Sequence, residues 1–120
     1  MGQLLKPTAL VVEDDADQRS LVSALLEECD MHVVECETAE AAIAAMVHLR
    51  DTLTMIFADV RLAGAMTGVE LAWFAQEEFP NVSVVLTSGA DVPDIPDHIV
   101  FTQKPWRALD VLRVAEGARH

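Results

Sequence analysis

Positive charge is scarce in this chain: 8 lysines and arginines stand against 20 aspartates and glutamates, a formal net charge of −12. A surface that acidic repels phosphate backbones and anionic headgroups, which argues against direct nucleic-acid binding and against membrane binding. Cysteine is nearly absent. Cys29 and Cys36 form neither a C-x-x-C pair nor part of a His/Cys cluster with zinc spacing, so two buried thiols in a reducing compartment are expected. The four histidines, His32, His48, His98 and His120, fall in no ligand spacing and are expected at surface or edge positions. No apolar stretch is long enough to span a bilayer. Residues 1–7 lack a secretory apolar core, and Lys6 stands where a myristoylation signal wants Ser or Thr, so a cytoplasmic location is expected. The 120 residues leave room for one domain, expected over residues 8–117, with short tails at 1–7 and 118–120.

What is present is a set of short apolar runs that each end in polar groups. Met55-Ile56-Phe57-Ala58 runs into Asp59, and such a run reads as a strand buried on both faces with its acid where the sheet opens to solvent. Thr8 to Val12 ends in Glu13-Asp14-Asp15, Val82 to Leu86 in Thr87-Ser88, and His98 to Thr102 is followed by Lys104-Pro105. His32 to Cys36 is a further strand, with the blurred alternation of an edge. Between them lie segments of helical period. Leu21, Val22, Leu25, Leu26 and Cys29 share one face, Asp15 starts that helix, Thr38 offers an N-cap to the next, and Phe79-Pro80 stops the third. The last helix is expected to follow Lys104-Pro105 directly, with Pro105 at its start and Gly117 as C-cap. Trp73 and Trp106 are expected in the core. Pro93 and Pro96 rule out more than about one turn of regular helix between Asp91 and Asp97.

Alternation of strand and helix implies right-handed crossovers and a doubly wound α/β domain, with the site outside the carboxyl ends of the strands at the switch point between the first and third. Glu13, Asp14 and Asp59 would meet there, with Thr87 and Lys104 arriving from one side. Clustered carboxylates raise one another's pKa unless a cation intervenes, and Mg²⁺, which takes oxygen ligands and retains waters, suits such a set. Thr87 would donate to a phosphoryl oxygen and Lys104 would neutralise another. A cis Lys104–Pro105 bond is expected.

In combination, Leu10-Val11-Val12-Glu13-Asp14-Asp15, Phe57-Ala58-Asp59-Val60-Arg61-Leu62, Val85-Leu86-Thr87-Ser88-Gly89 and Phe101-Thr102-Gln103-Lys104-Pro105 resemble the motifs of a response-regulator receiver domain of two-component signalling, along essentially the whole chain. The resemblance implies a flavodoxin-like five-stranded parallel sheet of order 2-1-3-4-5. It also implies that Asp59 accepts a phosphoryl group from a histidine kinase or histidine phosphotransfer protein, switching interactions with a downstream protein. Mg²⁺, with Mn²⁺ as an alternative, would be held by Asp14, by Glu13 through water, by Asp59 and by the backbone carbonyl of Arg61. Thr87 and Lys104 would bind the phosphate, Thr87 as the switch hydroxyl, and Phe101 would fill the aromatic switch position. The chain departs from the family in a short segment between Thr87 and Lys104, where the fourth helix is expected to be shortened or absent, and in a loop after Asp59 without the frequent proline. Such a domain is a phosphoacceptor with Mg²⁺-dependent self-phosphorylation and self-dephosphorylation, not a turnover enzyme. Two rivals remain: a degenerate receiver that binds partners without phosphorylation, and a Mg²⁺-dependent aspartyl-nucleophile phosphatase. The second wants an acid two residues after the nucleophile, where this chain has Arg61.

Overall fold

In the computed structural model, which describes residues 6–90 and 94–118, five parallel strands form one sheet of order β2-β1-β3-β4-β5. The strands are β1 (Thr8–Val12), β2 (His32–Cys36), β3 (Leu53–Asp59), β4 (Ser83–Ser88) and β5 (Val100–Gln103). The helices are α1 (Ala16–Glu28), α2 (Ala39–His48), α3 (Gly68–Glu78) and α4 (Ala108–Ala118). The doubly wound class and strand order expected from the sequence are those observed.

Period-two alternation along the central strands sorts their side chains into two cores. Leu10, Val12, Ile56, Ala58, Val84 and Leu86 pack with Ala39, Ala42 and Met46 of α2 and Leu71, Ala72 and Ala75 of α3. Ala9, Val11, Met55, Phe57 and Val85 point the other way, onto Val22 and Leu26 of α1 and Val111 and Ala115 of α4. Every residue of β1 is buried, as a strand covered on both faces requires. Each fully buried Leu, Ile or Val contributes about 1.5–3 kcal/mol of hydrophobic stabilisation. The edge strands β2 and β5 contain exposed and half-buried residues instead.

Side-chain caps set the helix starts. Asp15 accepts from the backbone N–H of Gln18, Thr38 from that of Ala41, and Thr67 forms a reciprocal capping box with Glu70. Four expectations need correction. Helix α4 begins at Ala108, because Asp110 turns back to accept from the backbone N–H of Arg107 (2.8 Å) while Trp106 packs edge-on against Phe57 outside the helix. Pro105 is therefore not a first helical residue, and Gly117 lies within the helix rather than beyond it. Trp73 is 52 % exposed, since at about 100° per residue it falls opposite the face formed by Leu71, Ala72 and Ala75. Cys36 is buried but Cys29 only partly so, and neither is in a disulfide. His32, His48 and His98 are exposed, while His120 lies outside the described residues. Between β4 and β5 the described residues contain no helix; Ile95, Ile99 and the buried Pro96 occupy that segment, with both isoleucines packed on the first core. Residues 91–93, including Pro93, lie outside the described residues. Among the described residues no helix is long and apolar enough to cross a membrane.

Candidate functional site

The carboxyl ends of β1, β3, β4 and β5 converge on the ammonium of Lys104. Parallel register sets Asp59 beside Thr87, the Val60 N–H donates to the Thr87 carbonyl (2.9 Å), and the Lys104 N–H to the Ser88 carbonyl (2.8 Å). These main-chain bonds fix where each side chain starts. Lys104 Nζ then donates to Asp59 Oδ2 at 2.5 Å, to Gln18 Oε1 at 2.6 Å and to Glu13 Oε1 at 3.3 Å. The Lys104–Pro105 bond is cis, as expected.

Asp59 and Glu13 are both buried, yet each has its second oxygen occupied. Asp59 Oδ1 accepts from the Arg61 N–H (3.0 Å), and Glu13 Oε2 from the Asp15 N–H (3.1 Å). Burial, and after it the charge and hydrogen bonding of Asp59, push the Glu13 carboxyl up to about 7 against the opposing pull of the Asp15 N–H and Lys104. Burial works against the charge on Lys104, but its bonds to Asp59 and Glu13 outweigh burial and raise its pKa. One lysine thus leaves surplus negative charge in the site.

Thr87 is buried to 1 % exposure, and its Oγ1 has no hydrogen-bond partner. An orphaned buried hydroxyl is uncommon, and here it lies at the rim where Asp59 ends its strand. Asp59, Arg61, Ser88, Gly89, Ala90 and Lys104 line a cleft of about 290 Å³. A second, more apolar cleft of about 510 Å³ lies beside it, lined by Gln18, Leu21, Gly89, Lys104, Pro105 and Trp106.

Glu13, Asp59, Thr87 and Lys104 are therefore brought to one rim, as the sequence leads one to expect. Asp14 is exposed, and among the described residues no three Asp, Glu, His or Cys side chains form a group arranged to hold a metal ion. The amine of Lys104 instead bridges Glu13 and Asp59. Phe101 is half-buried and packs against the first core. The Arg61 side chain is exposed.

Three residues escaped the sequence reading. Arg19 donates from Nη1 to the Glu13 carbonyl (2.8 Å) and pairs through Nε with Glu35 (3.1 Å), tying the end of β1 to β2. Glu40 Oε2 accepts from the N–H groups of Ala65 (3.1 Å) and Met66 (3.2 Å), holding the loop after Asp59 against α2. Gly64 adopts φ +93° where that carboxylate presses on it. The third is Gln18. In the sequence it is only a polar residue of the first turn of α1, off the apolar face.

The profile of the response regulator receiver domain family matches residues 9–101, and the chain belongs to that family. No curated protein matches the sequence. Among solved structures, the receiver domain of NtrX from Brucella abortus is 27 % identical with a TM-score of 0.79, over 92 % of this chain and 96 % of that one. The chemotaxis response regulator CheY4 of Vibrio cholerae is 18 % identical with a TM-score of 0.81, over 95 % and 99 %. A response regulator receiver domain protein from Clostridium thermocellum is 14 % identical with a TM-score of 0.84, over 93 % of each chain. At such identities the last two show the fold alone.

Proposed function

We propose that this receiver domain accepts a phosphoryl group on Asp59 from a histidine kinase or histidine phosphotransfer protein, and that the acyl phosphate switches binding to a downstream protein. The observation that carries this reading is Lys104 Nζ at 2.5 Å from Asp59 Oδ2, across 45 residues of sequence, beside the unpartnered hydroxyl of Thr87. A carboxylate held by a cation, with an idle donor next to it and a cleft in front of it, is arranged to take up an anionic group.

In the transfer, a carboxylate oxygen of Asp59 attacks phosphorus and the P–N bond to the donor imidazole breaks. The electron pair leaves on that nitrogen. Lys104 compensates charge on one phosphoryl oxygen, and Thr87 Oγ1 donates to another. The Arg61 N–H, bonded to Asp59 Oδ1, fixes the rotation of the carboxylate. The product carries about 1.5 to 2 negative charges in the cleft.

The donor chemistry suits a hard divalent cation such as Mg²⁺, or Mn²⁺ in its place, because the donors are all oxygen and two carboxylates share one ammonium, although with Asp14 turned outward the described residues are not assembled around such an ion. Asp14, Glu13, Asp59 and the Arg61 carbonyl would hold it. When bound, the ion supplies charge neutralisation for the entering phosphoryl group. Phe101 stands for the aromatic switch residue. Lacking a hydroxyl, it has only packing to exchange. Domain limits of 8–117, a cytoplasmic setting and the absence of multiple turnover follow from the same reading.

Incubation with Mg²⁺ and a small phosphodonor tests it by intact mass. One phosphoryl group is expected on the wild type and none on Asp59→Asn. An unmodified wild type, or an equally modified variant, would refute it.

A further inference from the structure

We infer that Gln18 is the positioning residue that Lys104 releases when the phosphoryl group arrives, so that its side-chain amide carries the phosphorylation state onto the surface of α1. The inference rests on the phosphoacceptor reading of Asp59.

An ammonium has three N–H donors and no more. Those of Lys104 are all committed, to Asp59 Oδ2 (2.5 Å), Gln18 Oε1 (2.6 Å) and Glu13 Oε1 (3.3 Å). A phosphoryl group on Asp59 brings several anionic oxygens to that ammonium, more acceptors than its three N–H donors can serve, so the partners already held must compete with them. Asp59 becomes the phosphoryl bearer and stays within reach. Glu13 and Asp59 are carboxylates, whose charge adds Coulomb attraction to their bonds with the ammonium, whereas the Gln18 amide is a neutral acceptor. Gln18 is the one partner without a carboxylate and is the one given up, although its bond (2.6 Å) is shorter than that to Glu13 (3.3 Å).

The main chain around Gln18 is anchored, because its N–H donates to the capping Asp15 carboxylate (2.9 Å). Release therefore moves the side chain and not the helix. Gln18 lines the 510 Å³ cleft together with Leu21, Pro105 and Trp106. Leu21 is 52 % exposed at that mouth. A freed amide turns outward there and changes the polarity of the cleft wall. The segment between β4 and β5 needs no rearrangement for this signal to reach the surface.

A residue that merely props Lys104 in place and a residue that competes for it predict opposite kinetics. Removing a prop misplaces the amine and slows transfer. Removing a competitor leaves an N–H ready for the phosphoryl oxygen and speeds it. Gln18→Met keeps the length and helix propensity of the side chain without the acceptor, and Gln18→Ala shortens it.

The test uses phosphoramidate with Mg²⁺ on the full chain, following the Asp59 adduct by intact mass. Attack by the Asp59 carboxylate breaks the P–N bond, and the electron pair leaves on ammonia. Both variants are expected to be phosphorylated about three- to tenfold faster than wild type, the range of one ordinary net hydrogen bond, since the freed N–H is partly resolvated and Lys104 keeps its other two partners. In ¹⁵N-labelled wild type, the Gln18 side-chain amide resonances, assigned by their loss in Gln18→Met, are expected to shift on phosphorylation and to return as the acyl phosphate hydrolyses. Rates unchanged within twofold or reduced, or amide resonances that stay put while Asp59 is modified, would overturn the inference. A wild type that acquires no phosphoryl group would instead overturn the phosphoacceptor reading and this inference with it.

Discussion

Glu13 should make the stability of this domain fall with rising pH in a window where few carboxylates titrate. Its folded-state pKa is about 7 against an ordinary value of 4.5, so the folded protein binds a proton more tightly than the unfolded chain does. The stability contributed is fully present below pH 4.5 and is lost as pH rises through 7. One pKa unit corresponds to about 1.4 kcal/mol, so the two values imply a loss of about 2.5 kcal/mol between pH 5 and pH 8. The cause is local: burial first, then the neighbouring Asp59 carboxylate, with Lys104 only partly compensating. Urea unfolding of wild type and Glu13→Gln in chelator, at half-unit steps from pH 5 to 8, isolates the effect. The wild type should lose about 2 to 3 kcal/mol relative to the variant across the range. Mg²⁺ should flatten the difference by supplying the missing positive charge. A difference that stays constant with pH, or that grows in favour of the wild type, would refute the reasoning.

Other perturbations follow from the same contacts. Lys104→Met strands two buried carboxylates, and because the lysine side chain is itself 21 % exposed the loss should be about 2 kcal/mol at pH 8 by urea unfolding, less than for a fully buried pair. An unchanged midpoint would contradict it. Gly68→Ala should destabilise by about 2 kcal/mol or more, since a Cβ there would collide with the Asp59 carbonyl oxygen and the Val60 backbone, neither of which can yield without moving the acceptor strand. A neutral thermal midpoint would count against the close approach. Glu40→Ala should cost only about 1 kcal/mol, because the Ala65 and Met66 N–H groups it frees lie at the surface. Amide hydrogen exchange at those two positions should nevertheless accelerate, and unchanged exchange would contradict the clamp.

The buried strands were legible because their chemistry is local. An apolar run such as Met55 to Ala58 that stops at an acid states both its burial and its open end within five residues, and four such endings define the rim. The caps at Asp15, Thr38 and Thr67 need only a few neighbouring residues, and the first two were read directly. Errors fell where a residue's setting depends on distant partners. Trp73 has aliphatic neighbours in sequence, but α3 presents another face to the sheet. Gly117 looked like a stop signal, yet the helix that contains it starts three residues after Pro105 and runs through it. Gln18, Arg19 and Glu40 are ordinary polar helix residues until the fold brings Lys104, the Glu13 carbonyl and the loop after Asp59 within reach of them. For Asp14 the sequence motif is clear, while its exposed side chain stands apart from the Lys104 hub.

Asp59 is the proposed phosphoryl acceptor, and chemical trapping tests that most directly. Wild type treated with phosphoramidate and Mg²⁺ is reduced with borohydride, which converts an aspartyl phosphate to homoserine, and digested for peptide mass mapping. Conversion is predicted at residue 59 alone, abolished by omitting the phosphodonor. Conversion at Glu13 or Asp14, or none at all in protein that binds Mg²⁺, would contradict it.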